Sequence, residues 1–127
     1  MLASIVSYDS RTHRFLSVSF SASAQAGNRV ISDFARRCRG PVLLAGDFNT
    51  PVESGIYREY WDDFCNAFSA SGWGFGYSYY YGLRCQVRVD HILGGSGWQS
   101  RRCWIGPDVG SPHRLVLADL QRTPAAR

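Results

Sequence analysis

The chain has 127 residues, 45% of them hydrophobic and 19% charged, which is the balance of one compact domain and excludes a disordered segment. Its net charge is +4, carried by fourteen Arg and no Lys; Arg suits bidentate phosphate recognition, and a coding bias toward Arg explains the count equally well. No apolar run approaches the roughly 20 residues that span a bilayer, and the opening MLASIVSYD lacks the basic and long apolar parts of a signal peptide, so the cytoplasm is the expected location.

Residues 2–8 (LASIVSY) and 14–21 (RFLSVSFS) have strand composition on either side of a D-S-R-T-H turn. Residues 21–39 read as a helix with Val30, Ile31, Phe34 and Cys38 on one apolar stripe, closed by Gly40-Pro41. Val42 to Ala45 is a short continuous apolar run, as in a strand covered on both faces, and Thr50-Pro51 turns the chain. Residues 54–70 carry Ile56, Tyr60, Trp61, Phe64 and Phe68 at helical spacing and read as two short helices. The glycine- and tyrosine-rich stretch GWGFGYSYYYG at 72–82 offers rings on which bases could stack, or else an aromatic edge of the core.

Three strands follow, at 84–93, 101–105 and 115–120, and the closing QRTPAAR ends in a frayed tail at 123–127. The order β-β-α-β-α-β-β-β makes residues 1–122 a single α/β unit without repeat or linker. Cys38, Cys65, Cys85 and Cys103 contain no C-x-x-C pair; they read as buried reduced thiols and not as a zinc site.

Three strands adjoin polar residues that a core does not need. In Gly46-Asp47-Phe48-Asn49, an extended backbone would aim Asp47 and Asn49 the same way and Phe48 inward, at a strand end where α/β folds build sites. Asp and Asn also make turns, so the motif alone has a purely structural reading. In RVDHIL (88–93), Asp90 interrupts an apolar strand and needs a partner. In GSPHR (110–114), His113 stands at the mouth of LVLADL; a buried Asp that accepts from one imidazole nitrogen fixes the tautomer and leaves the other nitrogen for chemistry.

GDFNTP, RVDHIL and GSPHRLVLADL, in this order and spacing, resemble the C-terminal half of the endonuclease/exonuclease/phosphatase superfamily, from about Arg14 to Leu120. The resemblance implies half of a four-layer α/β/β/α sandwich, with a mostly antiparallel or mixed sheet and helices on one face. It implies hydrolysis of a phosphoester, nucleic acid among the candidates, with Mg²⁺ or Mn²⁺. Asp47 would orient or deprotonate the attacking water and touch the metal, Asn49 would donate to a phosphate oxygen, and Asp90 would hold His113. His113 would bind the phosphate or act as the acid–base partner. Apart from the resemblance, Arg84, Arg88 and Arg114, with Arg101 and Arg102, could line a phosphate groove or equally be ordinary surface arginines.

The departures from the family pattern are specific. Pro112 stands where the family carries a metal-site Asp, and LSVSFSAS stands where it carries N-T-H, so Ser17 or Ser19 replaces a phosphate-reaching His. The family's main metal-binding Glu has no counterpart, and Glu53 and Glu59 offer no reason to replace it; Asp108 is the candidate substitute for the lost carboxylate. Half a sandwich also leaves one apolar sheet face to be covered by a homodimer partner, a missing N-terminal half or a rearrangement. The alternative to an enzyme is a non-catalytic phosphate- or nucleic-acid-binding remnant of the fold.

Overall fold

The computed structural model of the chain describes residues 2–9, 14–21, 24–82 and 85–123. In chain order the elements are β1 (Leu2–Asp9), β2 (Arg14–Ser21), α1 (Ala24–Arg37), β3 (Val42–Asp47), α2 (Gly55–Trp61), β4 (Cys65–Asn66), α3 (Ala67–Ser71), β5 (Tyr79–Tyr81), β6 (Cys85–Val87), β7 (Asp90–Gly94), β8 (Trp98–Ile105) and β9 (Val116–Arg122). Strand pairing sets the architecture. A five-stranded sheet runs β2-β1-β3-β7-β4 with every neighbour antiparallel, β3 lying at its centre.

The helices form where local chemistry allows. Ser54 caps α2 by accepting the Tyr57 N–H at 3.0 Å, and Asn66 caps α3 by accepting the Ser69 N–H at 3.1 Å. Helix α1 carries Arg36 and Arg37 in its last turn, where the carbonyl ends favour cations. Its buried stripe is rotated from the one hydropathy suggests: Ile31 and Ala35 are buried, but so are Asn28 and Ser32, while Val30 and Phe34 are exposed. The cause is polar. Asn28 accepts the Trp61 Nε1–H at 2.7 Å and donates to Thr50 Oγ1 at 3.3 Å, contacts that face the helix's polar side into the core.

Side-chain alternation along the sheet separates two clusters. Val42, Leu44 and Leu93 pack with Phe48 under Ile31 and Ala35 of α1 and Tyr57 and Trp61 of α2. Ile92 points the other way, into a second cluster with Ala67 and Phe68 of α3 and with Cys103, Ile105, Val116, Ala118 and Leu120. The strands expected at 101–105 and 115–120 therefore do not extend the main sheet. They lengthen into β8 and β9 and pair with each other as a separate ribbon. That ribbon and α3 cover part of the sheet face that a lone half-sandwich would leave bare, whereas Ala45 on β3 stays exposed.

The strand expected at 84–93 is broken. Residues 85–87 pair with β5 in a third, two-stranded sheet, and β7 resumes at Asp90 in the main sheet. All four cysteines are free thiols; Cys103 is buried and Cys38 half-buried, but Cys65 and Cys85 are exposed, contrary to their apolar sequence surroundings. On β4 it is Asn66, tied to its neighbours by hydrogen bonds, that takes the inward place next to Cys65. The Thr123 N–H donates to Gly97 O at 3.0 Å, so the first residue of the expected tail is anchored; residues 124–127 lie outside the described residues. No helix among the described residues is long and apolar enough to cross a membrane.

Candidate active site

The register of the central strands does the first part of the assembly. β3 and β7 pair so that Asp47 lies directly opposite Asp90, two carboxylates facing across one rung. Like charges in that position repel, so the arrangement needs a cation or a proton donor to hold it. His113 supplies one: its Nδ1–H donates to Asp90 Oδ2 at 2.9 Å, with Oδ1 at 3.2 Å. Ligand-capable atoms of Asp47, Asp90 and His113 all lie within 4.8 Å of one another.

His113 arrives from far along the chain by backbone pairing. The Arg114 N–H donates to Ser78 O at 2.7 Å, the Tyr80 N–H donates to Pro112 O at 3.0 Å, and Tyr79 bridges His113 as an isolated β pair. The Tyr79 ring lies 4.6 Å, centroid to centroid, from the imidazole. Pro112, which cannot offer a ligand side chain, thus contributes its carbonyl to the clamp that fixes the following histidine. With Nδ1 committed to Asp90 as a donor, the imidazole is held in the tautomer whose Nε2 carries a lone pair.

Asp90 has a second support that its sequence context does not announce. The fully buried Ser78 Oγ accepts the N–H groups of both Val89 and Asp90, at 3.1 and 3.0 Å. Burial pushes the Asp90 carboxyl above its ordinary range; the bonds to His113 and Ser78 pull it down, and the facing Asp47 pushes it up again. At Asp47 the geometry differs from an extended D-F-N. Asn49 has φ 48, in the left-handed region, and its N–H turns back to Asp47 Oδ1 at 2.8 Å. The Asp47 carboxylate thus closes an Asx-type turn on the Asn49 backbone, and the expectation that an extended backbone aims the two side chains in parallel is corrected. Phe48 is fully buried, edge-on to Trp61 at 5.0 Å.

A buried polar network underlies the turn. The Thr50 hydroxyl donates to Phe48 O at 2.9 Å and accepts from Asn28. Thr50 O is 2.8 Å from His91 Nε2, which must therefore be the donor nitrogen; His91 Nδ1 accepts from Asn66 Nδ2 at 3.3 Å, and that amide also donates to Tyr57 Oη at 2.9 Å. Burial holds the His91 pKa at about 4, so the ring is neutral at physiological pH. Sequence reading had no role for Asn28, Asn66, Ser78 or His91 and gave Thr50 only a turn. The available signal was His91 itself, a polar residue inside the apolar RVDHIL run.

Other candidate residues lie elsewhere. Asp108 pairs with Arg114 at 2.8 Å and caps its own turn by accepting the Gly110 N–H, outside the Asp47–Asp90–His113 group. Arg114 also lies over the Tyr80 ring at 5.1 Å. Arg88 is directed to α3, donating to Ser69 Oγ at 3.1 Å with its guanidinium 5.2 Å from the Phe68 ring centroid. Arg84 lies outside the described residues. Beside the carboxylates opens a cleft of about 330 Å³ with Ala45, Ile92 and Val116 among its apolar lining and His113 and Arg114 also on its wall.

As a donor set, the opposed Asp47 and Asp90 oxygens suit a hard divalent cation, which would relieve their repulsion and take its remaining ligands from water and substrate oxygens.

Two facing carboxylates and a carboxylate-held histidine at the end of an antiparallel sheet form a group that could hold a metal ion. The chain belongs to the Endonuclease/Exonuclease/phosphatase family, whose family model matches residues 6–113. No curated protein and no solved structure matches it. Family membership implies phosphoester hydrolysis, generally with divalent metals.

Proposed function

We propose that this chain is a metal-assisted phosphoester hydrolase whose reacting centre is Asp47, Asn49, Asp90 and His113. The observation that carries the reading is the Asp47–Asp90 rung with His113 held at 2.9 Å. Asp47, half-buried at the end of β3, accepts a proton from the attacking water or orients it. The Asn49 amide, at an exposed position, donates to a phosphoryl oxygen. Asp90 holds His113 through Nδ1, so that Nε2 faces the phosphate as hydrogen-bond partner or proton carrier. A Mg²⁺ or Mn²⁺ ion held by Asp47 and Asp90 would supply charge neutralisation at the phosphoryl oxygens.

The exposed Ala45, together with Val109 and Leu115 beside it, supports covering of this face by a second copy or by an N-terminal half of the sandwich. In that arrangement residues 1–122 act as the C-terminal half domain. Light scattering tests it: a mass near twice 14.2 kDa supports the homodimer, and a monomer at every concentration removes it.

The alternative reading, a phosphate- or nucleic-acid-binding remnant, is favoured by Pro112 in place of a ligand residue. Hydrolysis of bis(p-nitrophenyl) phosphate separates the two. Turnover that a chelator abolishes, Mg²⁺ or Mn²⁺ restores and Asp47→Asn removes supports the enzyme. Salt-sensitive phosphate binding without turnover supports the remnant.

A further inference from the structure

Among the described residues, the two most exposed large hydrophobic side chains belong to one loop. Between α3 and β5 the chain reads Gly72-Trp73-Gly74-Phe75-Gly76-Tyr77, three consecutive glycine–aromatic steps. Trp73 is 95% exposed and Phe75 78%. Phe75 and Tyr77 are already stacked on each other, centroids 5.3 Å apart and planes within 6° of parallel.

The loop is anchored beneath these rings. The Gly72 N–H donates to Phe68 O at 2.8 Å, and a Cβ built on Gly72 would meet Phe68 Cγ at 2.7 Å. Gly76 has φ 68 and also lies against the buried Phe68 ring, so a side chain there is barred by both conformation and space. One residue past Tyr77, Ser78 holds the Asp90 backbone, and Tyr79 lies against His113. The aromatic surface is therefore rigidly joined to the strand that builds the site. Large apolar rings held out in water carry a hydration cost that covering by a ligand removes.

We infer that Trp73 and the Phe75–Tyr77 pair form a stacking platform for unpaired bases of a single-stranded nucleic acid whose phosphate backbone leads to the Asp47–Asp90–His113 centre. This rests on the reading of that centre as a phosphoester site. Planar ring faces match nucleobases, and stacking of this kind is tolerant of sequence. A duplex hides the faces of its bases, so only a single strand or an unpaired end presents them. Charge agrees: no carboxylate occurs between Asp63 and Asp90, while Arg84 and Arg88 fall in that interval. A polyanion meets no repulsion from this segment, whereas a cationic or acidic-patch-seeking protein partner finds nothing to pair with.

The test measures binding, in chelator so that turnover plays no part, by anisotropy of a labelled short oligothymidylate. The comparison strand has the same length and backbone but abasic sugars. The intact chain binds the thymidylate about 5- to 150-fold more tightly than the abasic strand for each base stacked. Trp73→Ala and Phe75→Ala lose that margin while retaining abasic affinity and melting temperature, and Trp73→Phe, which keeps a ring, retains most of it. Equal affinity for the two strands, no binding of either, or a base-dependent margin that both alanine variants leave intact overturns the inference. Failure of diester hydrolysis, by contrast, overturns the catalytic reading and leaves this measurement standing.

Discussion

Replacing His91 by Leu separates the ring's two contributions, hydrogen bonding and protonation. His91 is 2% exposed, donates from Nε2 to Thr50 O and accepts at Nδ1 from Asn66, with Phe48 and Tyr57 edge-on to its ring. Leu fits an apolar site but leaves a carbonyl and an amide N–H unpaired, at about 1–3 kcal/mol each, offset in part by apolar burial. A loss of about 2–4 kcal/mol is expected at pH 7.5. The pH dependence is the sharper feature. The folded pKa, about 4, lies below the ordinary value of 6.5. Well above pH 6.5 neither state is charged and the neutral ring contributes in full. As pH falls through 6.5 toward 4 the unfolded chain takes up a proton that the folded chain refuses. By pH 4.5 the intact protein has lost about 2–3 kcal/mol on this account. His91→Leu cannot lose it, so the gap between the two proteins in urea unfolding narrows by that amount between pH 7.5 and 4.5. A gap that stays constant with pH refutes a neutral His91 locked between Thr50 and Asn66.

Ser78→Ala removes the acceptor of two buried N–H groups and is expected to cost about 2–4 kcal/mol in chemical denaturation. It also removes a bond that pulls the Asp90 carboxyl down, so any acid limb that Asp90 gives the pH–rate profile moves to higher pH. Asp63→Asn breaks a bidentate but solvent-exposed pair with Arg36, 2.8 and 3.0 Å long, and should cost no more than about 1 kcal/mol, less at high salt; a larger, salt-insensitive loss would mean the pair is anchoring α1. Gly76→Ala forces a Cβ onto the Phe68 ring at positive φ and is expected to lower stability by about 1–3 kcal/mol, read as a drop in melting temperature.

The candidate site residues were legible because they break local rules. Asp90 interrupts a strand, and D-F-N follows an apolar run. Their meeting was not legible: the Asp47–Asp90 rung depends on the antiparallel register of β3 with the distant β7, and on β5 clamping the segment around His113. The order of helices and early strands could be read from period and turns. The split of residues 84–93 could not, because composition does not say which partner a strand will choose, and the same holds for the separate β8–β9 ribbon. The buried face of α1 was misread for a related reason. Hydropathy counts Asn28 and Ser32 as surface, whereas Trp61 and Thr50 give Asn28 hydrogen-bond partners in the core. Asn49 likewise depends on a left-handed φ that two-residue alternation cannot anticipate.

The central claim is that Asp47 and His113 act as one unit on a phosphoester. Its most direct test is kcat/KM for bis(p-nitrophenyl) phosphate in the intact chain, Asp47→Asn, His113→Gln and the double variant, at fixed Mg²⁺. If they act together, each single change costs on the order of 10²–10⁴-fold, and the double variant is about as slow as the slower single one. Activity that survives both changes, or losses that multiply as they do for independent residues, would contradict it.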